Sequence, residues 1–155
     1  MKLIHYTNEK FELEQRPYLV DEINIGKPNG LWISVEGEYD WKSWCEEADF
    51  STENLSVAYE LTLKEDANIL HLKTAEEVIE FGKLYRFNES KIDDDKYIYH
   101  IKWTNVREKY QGIIISPYQW ECRLGIITSW YYGWDCASGC IWDLSCIKEF
   151  KLIKD

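Results

Sequence analysis

Short β-prone runs stand at both ends of this 155-residue chain, and the helical periodicities fall between them. A doubly wound fold requires strands and helices to alternate throughout, so this distribution points to an α+β mixed sheet. Residues 2–7 open with a strand, and residues 30–35 (GLWISV) form a second short β-prone run. Val57, Tyr59, Leu61 and Leu63 alternate with polar or small residues, the pattern of a half-buried strand. Residues 68–73 read as another strand, and residues 112–116 as a buried one ended by Pro117. Asp40 can cap a helix on which Trp41, Trp44, Cys45 and Ala48 share one face. Thr74 and Glu77 form a capping box that leads into an amphipathic helix through Val78, Phe81 and Tyr85. Trp103, Val106 and Tyr110 indicate a third, short helix. Residues 8–29 are polar and broken by Pro17, Gly26 and Pro28, and residues 88–96 form an acidic, solvated loop. Residues 120–154 read as β-rich, with glycine-marked turns at 125, 133 and 139.

No Gly/Ser/Pro-rich stretch separates the chain into parts, so residues 1–155 are expected to be a single domain. Nothing approaches the length of a membrane span, and no basic segment followed by an apolar one opens the chain. A soluble, cytoplasmic protein is the expectation. The five cysteines then read as reduced thiols, mostly buried. Cys136, Cys140 and Cys146 lack the paired spacing and the nearby histidine of a zinc site, so no metal is expected. A net charge of −10 argues against a broad grip on nucleic acid, although a local basic groove stays open, and it suits a basic partner.

Eight tryptophans and eleven tyrosines exceed the needs of one small core, and many stand beside Gly, Ser or Asp. Flat aromatic surface beside polar groups suits a ligand with a planar ring. His5, at the end of the opening strand, can donate to a ligand hydroxyl, with Thr7 adding a second polar contact; equally, a lone strand-end histidine can be structural. Gly30 permits close approach of backbone to a ligand, and Trp32 and Trp44 can wall a pocket for a cationic ring. The same two indoles can instead pack the helix on the sheet. No basic group adjoins Cys136 or Cys140 in sequence to activate a thiolate, and no Gly-rich phosphate loop occurs.

His5, then Gly30-Leu31-Trp32-Ile33-Ser34, then Trp44-Cys45 resembles, in order and spacing, the diphtheria-toxin and poly(ADP-ribose) polymerase branch of the ADP-ribosyltransferase superfamily. The chain is also similar to small ADP-ribosyltransferase-like proteins of phages and bacteria, which share its KPxGLW segment, a Trp-rich helix and the late WDCASGCIW block. The resemblance implies two small mixed or antiparallel sheets with two to three helices around an NAD cleft. It implies NAD contacts from His5, Tyr6, Gly30, Leu31, Trp32, Ser34 and Trp44, with NAD as substrate and no metal; Thr7 beside His5, and Ser138, which can bind a ribose hydroxyl, are added from their own chemistry. Tyr6 stands where the family usually has glycine, Trp32 where it commonly has tyrosine, and no clean glutamate motif follows residue 121.

Cleaving the nicotinamide–ribose bond passes through an oxocarbenium-like state that a carboxylate stabilises. Asp135, in an aromatic-walled turn, is the candidate, with Asp143 and Glu121 as alternates; Asp135 can also serve simply as a turn cap. The expected activity is transfer of ADP-ribose from NAD to a protein or nucleic-acid acceptor, in a toxin or phage–host setting with an antitoxin or host target as partner. The competing expectation is a non-catalytic, acidic interaction protein on the same scaffold.

Overall fold

The computed structural model describes residues 1–14, 18, 27–87 and 100–155. The breaker-rich part of 8–29 and the acidic loop at 88–96 lie largely or wholly outside the described residues. Among the described residues seven strands and three helices follow one another: β1 (Leu3–Thr7), β2 (Leu31–Val35), α1 (Trp41–Ala48), β3 (Val57–Leu63), β4 (Ile69–Leu72), α2 (Ala75–Leu84), α3 (Trp103–Lys109), β5 (Gly112–Ile115), β6 (Ser138–Ile141) and β7 (Ile147–Lys154). The protein is α+β. Its described strands make one sheet in the order β4-β5-β6-β2-β1-β3-β7, antiparallel except where β4 meets β5. Two sheets were the expectation from sequence. A four-rung ladder between β2 and β6, from Leu31↔Ile141 to Ser34↔Ser138, joins the outer strands into one.

The join is weak at one place. β1 and β2 pair only at Leu3↔Val35 and Ile4↔Ser34, although both strands run on for three more residues. β1 instead spends its full length on β3, from Leu3↔Leu61 to Thr7↔Val57. Beyond Ile4 the sheet therefore lacks a ladder between its two halves, and a gap opens between them.

The two faces of the sheet carry separate cores. Leu3, Leu31, Ile33, Val35 and Leu61 alternate onto one face and join Val78, Phe81, Trp103 and Val106 from α2 and α3. On the other face Ile4, Tyr6 and Ala58 pack with Cys45 and Leu55, and the half-buried Trp41 and Trp44 of α1 lie against them. Ala48, expected on the same buried stripe, is exposed, because α1 ends there at Asp49 in a left-handed conformation (φ 48°). Both expected helix caps form. Asp40 Oδ1 accepts from Ser43 N at 2.9 Å, and Thr74 Oγ1 accepts from Glu77 N at 3.1 Å. Glu77 returns its carboxylate to the N–H of Lys73, one residue before the cap, at 2.6 Å.

The last third differs most from its expectation. Residues 120–133 carry two short 3₁₀ turns, Trp120–Cys122 and Ser129–Gly133, in place of strands. Gly139 marks no turn; it lies inside β6, facing Ile33 on one side and Ile114 on the other. A β-carbon at 139 would stand 2.7 Å from the Ile113 carbonyl oxygen and 2.8 Å from Ile114 Cγ1. Gly139→Ala is therefore expected to destabilise the fold by about 1–3 kcal/mol, as overpacking of a closed interior does. Urea denaturation measures it; an unchanged midpoint would mean that β5 and β6 separate freely to admit a methyl group.

Candidate functional site

The gap between β1 and β2 is closed by a side chain. His5 Nδ1 lies 2.6 Å from the carbonyl oxygen of Trp32, an acceptor left without a β1 rung. A carbonyl can only accept, so Nδ1 carries the hydrogen and, in the neutral ring, Nε2 is an acceptor. This corrects the expected role: His5 can accept from a ligand hydroxyl but has no second hydrogen to donate. Burial disfavours the imidazolium and lowers the His5 pKa below its usual 6.5, although the Trp32 carbonyl acts in the opposite direction. Phe11 stands edge-on to the ring at 5.5 Å and Trp41 at 6.5 Å. Phe11 is fixed through its backbone, since Tyr59 Oη accepts from its N–H at 2.9 Å and donates to its carbonyl at 3.1 Å.

Next to this bridge lies a cavity of about 540 Å³. Its walls include His5 from β1, Gly30, Leu31 and Trp32 from the start of β2, Trp41 and Trp44 from α1, and Trp134, Asp135, Cys136 and Ser138 from the stretch leading into β6. Seven of the sequence-nominated residues therefore meet here: His5, Gly30, Leu31, Trp32, Trp44, Asp135 and Ser138. Phe11, Tyr18, Lys27 and Phe50 complete the lining among the described residues. Trp32 and Trp134 meet edge to face at 4.9 Å, and Trp44 meets Phe50 at 5.5 Å. Trp134 is held from behind by the aromatic core, where it stacks at 6.2 Å on Tyr131 and at 6.5 Å on Trp103.

Other nominated residues have different work. Tyr6 donates to Glu36 Oε1 at 2.6 Å, and Ser34 Oγ donates to Glu36 Oε2 at 3.0 Å while accepting from Trp41 N at 3.0 Å. Both side chains are buried and outside the cavity lining, so they anchor the start of α1 to the sheet and position Trp41 and Trp44. Burial, then the Glu36 hydrogen bond and charge, pushes the Tyr6 hydroxyl far above its ordinary pKa. Thr7 is also outside the lining; its Oγ1 lies 3.5 Å from Glu9 N. Gly30 lines the cavity, yet its missing side chain serves the sheet: a β-carbon would meet the Ile141 carbonyl oxygen at 2.6 Å and Cys140 Sγ at 2.7 Å. Ser138 Oγ donates to the Cys136 carbonyl at 3.1 Å and so keeps only acceptor capacity for a ligand.

Of the three candidate carboxylates, only Asp135 reaches the cavity. Arg123 Nη2 lies 3.7 Å from Asp135 Oδ1, and its guanidinium is 5.9 Å from both the Trp120 and Tyr132 rings. Asp143 caps the turn Leu144–Cys146, accepting from Ser145 N at 3.0 Å and from Gln111 Nε2 at 3.0 Å. Glu121 is exposed on the Trp120–Cys122 turn. All five cysteines are free and buried; burial pushes the Cys136 thiol up to about 12 and Cys146 to about 11, which keeps both protonated at neutral pH. Among the described residues no group of His, Cys, Asp and Glu is placed to hold a metal, and no helix is long and apolar enough to cross a membrane.

Sequence reasoning missed Phe11, Tyr18 and Phe50, which lie outside any periodic run, and Trp134, whose only signal was membership of the late WDCASGCIW block. Compared with protein-family models, curated proteins and solved structures, the chain has no significant match in any of the three.

The buried bridge makes the state of His5 testable. Its folded form takes up a proton only below pH 6.5, whereas the unfolded form does so near 6.5. Its contribution to stability is thus fully present above pH 6.5 and is lost as the pH falls through the folded pKa. Histidine ¹⁵N NMR is expected to find the Nδ1–H tautomer for His5 and a midpoint below 6.5; an Nε2–H tautomer would contradict the bridge, and a midpoint above 6.5 would mean that the Trp32 carbonyl outweighs burial.

Proposed function

We propose that this protein transfers ADP-ribose from NAD to a nucleophile, releasing nicotinamide. The observation that carries the reading is convergence. Residues nominated in three separate stretches, around His5, around Gly30 to Trp44 and around Asp135, line one cavity with aromatic walls. A pyridinium is flat and cationic, so the indole faces of Trp32 and Trp44 attract it by stacking and by cation–π interaction. His5 Nε2 accepts from a ribose hydroxyl, and its lowered pKa leaves that lone pair available at neutral pH. The carboxylate of Asp135 lies across from the developing oxocarbenium ion and stabilises it. As the bond from ribose C1′ to nicotinamide N1 breaks, its electron pair goes to the nicotinamide ring, which leaves neutral. The acceptor's lone pair then forms the new bond at C1′, and its proton passes to Asp135 or to water. The acceptor is a macromolecule; the net charge of −10 favours a protein over a nucleic acid. A toxin or phage–host setting, with an antitoxin or host target as partner, belongs to the same proposal.

A second reading draws on a different surface. Trp120, Leu124, Ile126 and Tyr132 are all exposed within one short stretch beside Arg123. Exposed apolar residues gathered this closely suit a protein contact. In the transfer reading this stretch receives the acceptor at the mouth next to Asp135; in a non-catalytic, acidic interaction protein it would be the functional surface itself.

Nicotinamide release from NAD, measured with and without a cell lysate as acceptor source, separates the two. The expected result is release that falls about 10²–10³-fold in Asp135→Asn, the scale of losing one preorganised electrostatic contact to the transition state. No release under either condition, with no NAD-dependent rise in melting temperature, would sink the transfer reading and leave the interaction protein. Retained activity in Asp135→Asn would remove the role given to that carboxylate.

A further inference from the structure

Lys27 is the one ammonium group among the described residues of the cavity lining, and it rests on an aromatic wall. Its Nζ stands 5.4 Å from the centroid of the Trp32 ring. That is within the roughly 6 Å reach of a cation–π contact. The stem passes close beside Gly133, where a β-carbon would stand 3.2 Å from Lys27 Cε. The residue is exposed, so its four-carbon stem can carry the ammonium elsewhere without unpacking anything.

The position of this charge has a consequence for any ligand that uses the same ring. An indole face that attracts an ammonium also attracts a pyridinium, but two like charges within a few ångströms repel one another. The lysine must then move, and besides solvent and the Asp135 carboxylate of the same wall its counter-charge can come from the ligand. A nicotinamide nucleotide brings one of its own, a phosphate on the ribose that bears the pyridinium. A flexible lysine is well suited to meet it, as a compact charge with three rotatable donors.

Resting on the pyridine-nucleotide reading of the cavity, we propose that Lys27 has two stations: it caps Trp32 while no ligand is bound, and it pairs with the ring-proximal phosphate once the pyridinium takes its place on the indole. Lys27 thereby makes the site specific for the phosphorylated cation over the unphosphorylated one. It also favours product release, because the nicotinamide that leaves is neutral, has lost its cation–π attraction, and yields the ring back to the ammonium.

Isothermal titration with nicotinamide riboside and with nicotinamide mononucleotide tests this without requiring transfer. Wild-type protein is expected to bind the mononucleotide at least about tenfold more tightly, the worth of one charge-assisted hydrogen bond. In Lys27→Gln the riboside, with no ammonium to displace, binds as well or better, while the mononucleotide weakens and the preference collapses. Lys27→Arg retains most of the preference, because the charge and its reach are kept. A preference that persists unchanged in Lys27→Gln overturns the role of Lys27 and leaves the cavity assignment standing. No binding of either ligand to wild-type protein overturns both.

Discussion

The early end of the β1–β2 ladder is the constraint on which the site depends. Two strands that paired along their whole length would bury the backbone of Trp32 against β1 and close the sheet. Pairing instead stops after Ile4, and the His5 imidazole takes the carbonyl that the missing rung would have satisfied. A buried carbonyl without a partner is costly, so the histidine makes the opening tolerable as well as lining it. The same bond consumes the ring's only hydrogen in its neutral form. Structure and chemistry are linked through one proton: the group that props the gap open is thereby committed to act as an acceptor.

Around this opening the molecule is closely packed where the cavity has walls. Gly30 and Gly139 let β6 approach β2 and β5 at distances that no other residue would permit, so the late stretch is drawn against the early one. That approach brings Trp134 and Asp135 to face residues encoded a hundred positions earlier. Tyr6, Ser34 and Glu36 lock α1 at its first turn, which fixes two tryptophans by anchoring the backbone from which they project. These contacts explain why Tyr6 and Ser34, two of the residues expected to line the site, lie outside the cavity lining instead.

Local elements were legible from sequence because local rules govern them. The cap at Asp40, the alternation from Val57 to Leu63 and the box at Thr74 all recur in the structure with their expected partners. Within 120–154, read as β-rich with glycine turns, residues 120–133 form 3₁₀ turns instead of strands, and Gly139 was misread because glycine signals two opposite things, a backbone that must bend and a backbone that must be approached. Only the identity of the neighbour decides between them, and for Gly139 the neighbour is Ile114, reached through β-pairing across the chain. Likewise Phe11 is placed by two hydrogen bonds to Tyr59, a relation between residues 48 positions apart that no periodicity announces. The gathering of His5, Trp32, Trp44 and Asp135 was foreshadowed by residue type, but the pairing that unites them is a property of the sheet.

The distribution of tryptophan gives the molecule an optical property. Four of its eight indoles, Trp32, Trp41, Trp44 and Trp134, border the cavity, and three of the others, Trp103, Trp130 and Trp142, are sealed in the core. Half of the indoles thus stand at one place, and the core indoles add a background insulated from solvent. An electron-poor ring seated among electron-rich indoles quenches their emission and opens a charge-transfer absorption at longer wavelength. The cavity is in effect its own chromophore, and the colour of a mixture would report occupancy before any label or product is introduced.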